Sequence, residues 1–565
     1  MKNRKNSAKN HFYYAKRAYF DSKTGFSRFV NAPTRKKVRC YNIFEVIPMV
    51  EHPLVMTFDF GTQSVRACIF DSQGECLAME SRKYEPAYHS PKPGYAEMDP
   101  AYYFDCLCAC TKAIAEKHPD LLPRVAGIEL DCFRDSAVCL DKDRNVIRPM
   151  ILWLDSRMAE CKKPLPLLSR AIFALAGKSD VIGLNRQRTM ANWIKENEPE
   201  NFAKIDKYVS VSTYFVFRLT GALKDSPSDF TGHYPLDYKK RQWYQKPETH
   251  LQGQIFSLRR DQLPELVDTQ GILGYISKEC AALSGIPEGI PLFAGGSDKS
   301  CETLGSGVVD NSLASISLGT ACTVETVTER YIGPQPLLPA YPSIQKGVYN
   351  MDVQIYRGFW MVNWFLKEFG AAQIDDLVTA DLTAEQLDSK MEDIAPGSDG
   401  LLVQPYWGSP LEHPEVKGAI IGFSDYTTRA HVYKAIIEGI GYELRFAKEN
   451  FEKRLGRKFT ALRISGGGAR SDKVCQLYAD LFGLKVERLQ TVETSSLGAA
   501  IGGFLSLGVY SSAKEATDHM VRVTKTFLPN EKNTKIYDAL YENAYKTLYP
   551  SLKKTYRYLY RFTAK

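Results

Sequence analysis

The pattern of apolar and polar positions along the chain predicts two α/β halves that open in the same way. An apolar strand begins near Val55 and ends at an Asp-Phe-Gly-Thr-Gln-Ser turn, after which two further strands follow. Residues 315–320 (Ser-Ile-Ser-Leu-Gly-Thr) again end an apolar strand at a Gly-Thr turn, before a β-branched strand. Two such hairpins indicate an internal duplication that holds the phosphates of a nucleotide between its halves.

A third turn has a different composition. An apolar strand ends at Gly466, Gly467 and Gly468, and a pattern of helical spacing follows. A glycine turn that opens a helix lets the flat face of an adenosine approach the backbone. The segment is neither G-x-G-x-x-G nor a Walker A lysine loop, which disfavours the Rossmann and P-loop folds.

The first hairpin carries residues suited to a phosphate and a magnesium ion. Gly61 allows close approach of the backbone to a phosphate, and Thr62 and Ser64 offer hydroxyl donors. Asp59, at the end of the strand, can hold a hydrated Mg²⁺. Taken alone, the segment fits an ordinary hairpin equally well.

Asp298 is the candidate for acid–base chemistry. It follows an apolar strand and the Gly295-Gly296 pair, directly before a predicted helix. A carboxylate in this position suits a general base for a hydroxyl nucleophile. An aspartate that caps the helix is the alternative, and the two roles are compatible.

Charge is concentrated at one end of the chain. The 565 residues include 73 Lys and Arg against 65 Asp and Glu, yet the first forty residues hold twelve of the basic residues and one acid, Asp21. The remainder is slightly acidic, which argues against a nucleic-acid groove across the fold. A disordered or spurious leader, a targeting segment and a tether to nucleic acid or membrane all remain open for residues 1–53.

The rest of the composition indicates a globular protein of the cytoplasm. Hydrophobic residues make up 44% of the chain, and no apolar run approaches the ~18 residues that cross a bilayer. Thirteen cysteines without a metal-binding pattern are expected to be reduced thiols. We therefore expect neither a membrane nor a nucleic acid as partner. The sequence does not decide the oligomeric state, and a homodimer stays open.

Together with further motifs, these turns resemble the FGGY carbohydrate kinases, which share their fold with actin, hexokinase and heat-shock ATPases. The resemblance covers roughly residues 54–555, and its strength comes from the number and order of the motifs. The additional segments are Pro-Gly-Tyr-Ala-Glu-Met-Asp-Pro at 93–100, Ile-Leu-Trp-Leu-Asp-Ser-Arg at 151–157, the run that starts at Gly418, and Glu-Thr-Ser-Ser-Leu-Gly-Ala-Ala at 493–500.

The resemblance implies an α/β fold of duplicated actin-like ATPase (ribonuclease H-like) domains with a cleft between them, each built on a five-stranded mixed sheet. Four segments are expected: the leader 1–53, an N-terminal domain 54–305 with the sugar site, a C-terminal domain 306–525 with the adenosine site, and a helical tail 526–565 that Pro550 interrupts.

The resemblance also implies the site residues. Asp298 is expected to be the catalytic base and to contact the substrate, and Asp59 to position Mg²⁺. The residues expected to bind ATP lie on three loops: Thr62, Ser64, Arg66, Gly319, Thr320, Gly467, Gly468 and Asp472.

For the acceptor, the resemblance singles out Arg134 and Asp135, as in glycerol-kinase-like members. A guanidinium beside a carboxylate offers fixed donors and acceptors to vicinal hydroxyls, although a surface ion pair is the simpler interpretation. The Tyr-x-x-Leu-Tyr-Pro tail is similar instead to pentulose kinases. We therefore expect an ATP-dependent kinase for a ketose or polyol, with a pentulose such as xylulose favoured. The alternative is a catalytically degenerate protein of the same family that senses a sugar or a nucleotide; a chaperone or filament protein would lack the acceptor segment.

Overall fold

The computed structural model describes residues 51–335, 338–369, 372–374, 377–379, 383–410 and 413–563. The predicted basic leader lies outside the described residues, except for its last three. No helix among the described residues combines the length and the apolarity needed to cross a membrane.

The first half is built on a six-stranded mixed sheet in the order β5-β6-β4-β1-β2-β3. Strands β1, β4 and β6 are parallel, and β1, β2 and β3 form an antiparallel meander. Every residue of β1 and β4 is buried because helices cover both faces of the sheet centre, so these strands are apolar along most of their length. The strands are β1 (Leu54–Phe60), β2 (Ser64–Phe70), β3 (Cys76–Lys83), β4 (Val125–Cys132), β5 (Ile272–Tyr275) and β6 (Pro291–Ser297).

The second half repeats this plan in a seven-stranded sheet, in which a short edge strand, Tyr341–Pro342, precedes the order β9-β8-β7-β10-β11-β12. Here β7, β10 and β11 are parallel, and β7, β8 and β9 form the meander. The strands are β7 (Leu313–Leu318), β8 (Cys322–Thr328), β9 (Tyr349–Ile355), β10 (Ala461–Ser465), β11 (Val486–Leu489) and β12 (Val523–Phe527).

The two sheets share one topology, since each has a meander followed by two parallel strands on the far side of its first strand. This confirms the predicted duplication. The expected five-stranded sheets are too small, because one edge strand joins the first sheet and two join the second. Strand β12 spans the predicted boundary between residues 525 and 526.

Helices cover the sheets. The helices used below are α1 (Pro100–Lys117), α2 (Val211–Thr220), α3 (Asp298–Gly305), α4 (Arg429–Leu455), α5 (Asp472–Phe482), α6 (Thr494–Ser506), α7 (Glu531–Leu540) and α8 (Lys546–Thr563). The other helices of more than five residues are Leu167–Leu175, Ser179–Arg188, Met190–Asn197, Pro199–Lys204, Lys278–Ser284, Trp360–Phe369, Ala384–Met391 and Ala513–Met520. A small sheet of four short strands, Glu97–Met98, Met150–Ile151, Ala137–Leu140 and Lys207–Ser210, lies beside the first half.

The two halves meet where α3 crosses α6. A Cβ added at Gly305 would overlap the carbonyl oxygen of Thr494, and one added at Gly498 would overlap that of Cys301. The helices therefore touch backbone to backbone, which only residues without a side chain allow. This crossing brings the helix that starts at Asp298 against the second half of the chain.

The tail packs on the second half. A π-helical turn, Tyr541–Tyr545, joins α7 to α8, and Tyr541 and Tyr545 stack around Tyr442 of α4. The expected interruption at Pro550 is wrong, because α8 continues through this residue. Pro550 gives up one backbone hydrogen bond inside the helix, but Leu548 and Tyr556 on either side of it are buried, so packing on the second half offsets this loss.

Candidate active site

The candidate residues gather at the carboxyl ends of the parallel strands. Asp59 lies near the end of β1, opposite Asp131 of β4, and Asp298 follows β6 directly. The carboxyl ends of parallel strands share one edge of a sheet, which is where open α/β folds bind ligands. Gly319 and Gly466 follow the corresponding strands, β7 and β10, of the second sheet.

Asp298 is the first residue of α3. Its Oδ1 accepts a hydrogen bond from the backbone N–H of the next residue, Lys299, at 2.8 Å. The cap position belongs to Ser297, so the alternative of a capping aspartate is wrong. Its side chain is 33% exposed, and Nε of Arg134 lies 3.5 Å from Oδ1. Burial raises the pKa of Asp298, against the opposing effect of Lys299 and Arg134. A partly exposed carboxylate with a raised pKa can take a proton from a bound hydroxyl.

Arg134 is buried between carboxylates and does not form the surface ion pair that was the simpler interpretation. Its guanidinium is 14% exposed, and Nη2 lies 2.8 Å from Oδ2 of Asp352, on β9 of the second sheet. The ring of Tyr341 stands 5.7 Å from the guanidinium carbon. Arg134 thus connects the carboxylate at the start of α3 to a carboxylate of the other half.

Asp135 has a partner of its own. Nδ1 of His233 lies 2.6 Å from Oδ2 of Asp135 and donates to it. The backbone of Asp135 has a φ of 57°, which is uncommon for a residue other than glycine.

Asp59 is held by donors from both halves. Its Oδ2 accepts hydrogen bonds from Arg66 at 3.0 Å, Ser495 at 3.2 Å and Ser496 at 3.1 Å. Arg66 also pairs with Glu493 at 3.1 Å, so the guanidinium expected at the first phosphate loop lies between two carboxylates. The two serines belong to α6, which therefore orients the carboxylate expected to position the metal.

A magnesium ion fits the same strand ends. Asp131 is fully buried opposite Asp59, and burial, together with the charges of Asp59 and Asp298, raises its pKa. Adjacent acids whose charges repel one another favour a divalent cation between or beside them. Among the described residues, no three His, Cys, Asp or Glu side chains form a ready metal site. Mg²⁺ does not require such a cluster, because it takes one or two carboxylates and completes its shell with phosphate oxygens and water.

The first hairpin turn is closed and tied to a tryptophan. The N–H of Gly61 donates to the carbonyl oxygen of Ser64 at 2.9 Å, so this amide stabilises the turn. Oγ1 of Thr62 accepts a hydrogen bond from Nε1 of Trp153 at 2.9 Å. Residues 153–157 (Trp-Leu-Asp-Ser-Arg) are thereby connected to the turn that is expected to bind phosphate.

The second hairpin turn and the triple-glycine turn lie side by side. A Cβ on Gly466 would come within 3.0 Å of the backbone of Leu318 and Gly319, and Gly466 has a φ of 79°. A Cβ on Gly468 would lie 2.5 Å from the ring of Phe359, whereas one on Gly467 would meet no atom within 4 Å. Glycine is therefore required at 466 and 468 for packing, while Gly467 faces open space.

Thr320 and Asp472 lie at the rim of this region. Thr320 is exposed, and its carbonyl oxygen accepts the N–H of Trp360 at 3.3 Å. Asp472, the first residue of α5, is held by Lys525 at 2.5 Å and Arg488 at 2.7 Å, and its hydrogen bond from Lys525 does most to lower its pKa. Arg488 also donates to the carbonyl oxygen of Arg470 at 3.2 Å and so connects Asp472 to the glycine turn.

A buried charged network connects α3, which starts at Asp298, to the strand that ends at the triple-glycine turn. Nζ of Lys299 lies 2.6 Å from Oε2 of Glu302, and Ser465, directly before Gly466, donates to Oε1 of Glu302 at 2.7 Å. Glu325 of β8 lies nearby, and burial and the charge of Glu302 raise its pKa to about 8. The turn expected to hold adenosine is thus coupled to the helix that carries Asp298.

Several of these residues escaped sequence reasoning. Asp352 and Glu325 lie on ordinary strands, and no local motif surrounds His233. Glu302 follows Asp298 by about one helical turn, and this spacing, which places both carboxylates on one side of the helix, was the one available signal.

The duplicated topology gathers carboxylates and glycine turns at the carboxyl ends of its parallel strands, an arrangement expected of a nucleotide-dependent phosphotransferase. Models of the FGGY family of carbohydrate kinases match the chain with their N-terminal domain over residues 54–305 and their C-terminal domain over residues 314–507. The chain belongs to this family of ATP-dependent sugar kinases, which transfer phosphate to an alcohol group.

Curated relatives agree with this family. A xylulose kinase of Lactococcus lactis subsp. lactis is 28% identical over 494 residues, covering 86% of this chain and 95% of that protein. A gluconokinase of Bacillus licheniformis is 24% identical over 490 residues, covering 86% of this chain and 94% of that protein.

Solved structures share the fold. A ligand-bound xylulose kinase from Lactobacillus acidophilus has a TM-score of 0.76 at 22% identity, covering 90% of this chain and 100% of that chain. A gluconate kinase from the same species has a TM-score of 0.75 at 23% identity, with coverages of 90% and 99%. Plasmodium falciparum glycerol kinase with ADP has a TM-score of 0.69 at 19% identity, with coverages of 88% and 98%. At these identities the likeness concerns the fold alone.

Proposed function

We propose that the protein transfers the γ-phosphate of ATP to a hydroxyl of a neutral ketose or polyol, with a pentulose such as xylulose as the favoured substrate. One observation carries the proposal: the partly exposed carboxylate of Asp298 stands beside Arg134 at the strand ends that also carry Asp59. A hydroxyl bound there would contact the carboxylate of Asp298, which can accept its proton, and the guanidinium of Arg134.

In this proposal the chain supplies positioning and charge. Asp298 accepts the proton of the sugar hydroxyl as its oxygen attacks the γ-phosphorus, and Arg134 and Asp135 orient the neighbouring hydroxyls. Mg²⁺, held near Asp59, would neutralise the phosphate charge when ATP is bound. The triphosphate lies between the first loop, with Thr62, Ser64 and Arg66, and the second, with Gly319 and Thr320.

The adenosine lies against the second half, at Gly467, Gly468 and Asp472. The open space at Gly467 supports this assignment, because a base needs a flat backbone surface without a side chain. The same arrangement puts the sugar deep against the first half and the nucleotide mostly on the second.

The charge of the acceptor site favours a neutral sugar over a sugar acid. Arg134 is shared between Asp352 and Asp298, and Asp135 adds another carboxylate, so the acids around the proposed acceptor position outnumber this one guanidinium. A substrate carboxylate would meet like charge, whereas hydroxyls donate hydrogen bonds to these acids. This favours the chemistry named for the xylulose kinase relatives over that named for the gluconokinase.

The remaining assignments belong to the same proposal. The sugar domain spans 54–305, the nucleotide domain 306–525 and the tail 526–565, and the enzyme acts in the cytoplasm with Mg²⁺. The twelve cysteines of the described residues are free thiols, ten of them buried, which suits a reducing compartment. A small sugar is the expected partner, without nucleic acid or membrane, and a homodimer stays open.

The alternative is a sugar- or nucleotide-sensing protein that has lost catalysis. A coupled assay of ADP release over a panel of pentuloses, hexuloses and polyols separates the two. We expect release that depends on the sugar and on Mg²⁺, with xylulose among the best acceptors. ATP binding without any sugar-dependent release would refute the kinase and favour the sensor.

A further inference from the structure

Asp352 belongs to the second sheet but reaches the acceptor site of the first half. It lies in the middle of β9, and its side chain is 7% exposed. Its Oδ2 accepts from Nη2 of Arg134 at 2.8 Å, while Nε of the same guanidinium lies 3.5 Å from Asp298. One guanidinium thus contacts both carboxylates. Asp352 and the proposed base are therefore close enough for one sugar to reach both.

The second oxygen of Asp352 has no partner. Oδ1 is buried and accepts no hydrogen bond from any residue that the structure describes. Leaving a buried charged acceptor unsatisfied costs free energy, and a donor that arrives with a ligand removes that cost. Arg134 donates to Oδ2 and not to Oδ1, and its Nε lies instead near Asp298.

A sugar hydroxyl is the donor that fits this position. Hydroxyls are neutral donors, whereas a carboxylate or phosphate group would bring an acceptor and a negative charge to Asp352. Strand β9 belongs to the second half of the molecule, whereas Asp298 and Asp135 belong to the first. Asp352 would therefore contact the sugar from the opposite side.

We propose that Asp352 is a specificity-determining residue of the acceptor site: Oδ2 fixes Arg134, and Oδ1 accepts a hydrogen bond from a second hydroxyl of the sugar whose first hydroxyl meets Asp298. The inference rests on the proposed function and deepens it. The acceptor site is complete only when both halves contribute, and its third carboxylate further excludes sugar acids.

The test compares Asp352→Asn with the wild-type enzyme, using xylulose, or the best neutral acceptor of the panel, and gluconate as the anionic probe. The amide keeps the shape of the side chain and one acceptor but removes the charge. We expect KM for the neutral sugar to rise about tenfold to hundredfold, with a smaller change in kcat and an unchanged KM for ATP. Gluconate should become a better inhibitor or acceptor than it is for the wild type.

Asp393→Asn is the matched control, because Asp393 is an exposed carboxylate of the second half outside the site. This variant should leave kcat and the KM values for the sugar and for ATP unchanged. If Asp352→Asn does not fold, Asp352→Glu carries the test: it keeps the charge but displaces the oxygens by one methylene. The glutamate should raise KM for the neutral sugar and still reject gluconate.

Two results would overturn the inference. An Asp352→Asn enzyme with the wild-type KM for the neutral sugar and no gain toward gluconate removes the proposed role of Asp352 and leaves the kinase proposal intact. A wild-type enzyme that phosphorylates no sugar overturns the proposed function and this inference with it.

Discussion

The acceptor side and the nucleotide side of the candidate site are built from different parts of the chain. On the acceptor side, charged side chains meet in pairs: Arg134 with Asp298 and Asp352, and Asp135 with His233. On the nucleotide side, Gly466 and Gly468 allow backbones and a ring to approach closely, and Gly467 leaves an open surface. We therefore expect recognition of the sugar to depend on side-chain chemistry, and recognition of the nucleotide to depend on the shape of the backbone.

The difference predicts opposite sensitivities. Isosteric changes that alter only charge should damage the acceptor side, while the addition of a single methyl group should damage the nucleotide side. A variant of the acceptor side can then be checked by its unchanged binding of ATP, and a variant of the nucleotide side by its unchanged binding of the sugar.

The largest effect is expected from Asp298→Asn. The amide keeps the shape but cannot accept the proton, so kcat should fall by about 10³-fold. Binding of ATP, measured by calorimetry, should stay within a factor of about two, because the base does not contact the adenosine turn. A variant that retains more than a tenth of the wild-type kcat would contradict the role of Asp298 as base.

The second effect concerns the glycine turn. Gly467→Ala puts a methyl group into the open space where adenosine is proposed to lie, so KM for ATP should rise about tenfold at an unchanged melting temperature. Gly468→Ala instead meets the ring of Phe359 and should lower the free energy of unfolding by about 1–3 kcal/mol.

Gly183→Ala is the control for both glycine variants. Gly183 lies in the helix Ser179–Arg188 and an added Cβ meets no atom within 4 Å, so the alanine should slightly stabilise the protein and leave KM for ATP unchanged. If Gly467→Ala binds ATP as the wild type does, adenosine lies elsewhere.

A smaller effect is expected at His233. Removing its ring in His233→Ala frees Asp135 to rotate, and KM for the sugar should rise about tenfold with a smaller change in kcat. His233→Asn keeps an N–H donor close to the position of Nδ1 and should restore most of the affinity. Equal losses in the two variants would mean that the ring acts by packing and not by holding Asp135.

The smallest effect is expected at Asp472. This carboxylate is exposed and paired with Arg488 and Lys525, and exposed ion pairs contribute little, so Asp472→Asn should change KM for ATP by about twofold or less. A change larger than that of Gly467→Ala would make this side chain a direct nucleotide contact and would weaken the contrast between the two sides.

Sequence reasoning reached much of the fold because its signals are local. The two hairpins, the triple-glycine turn and the aspartate after a buried strand depend on neighbours within a few residues, and the repeated hairpin predicts the duplicated topology. The number of strands was underestimated, because edge strands such as Tyr341–Pro342 are too short to have a pattern of their own.

The sequence by itself determined the family and the duplicated fold, and it supplied the candidates for the phosphate turns and the base, since each of these signals lies in a short run of residues. The tertiary structure alone decided the partners of those residues: His233 lies 98 positions from Asp135, and Asp352 lies 218 positions from Arg134. Charges so distant along the chain meet only after both sheets have formed and α3 has crossed α6, which no local pattern encodes.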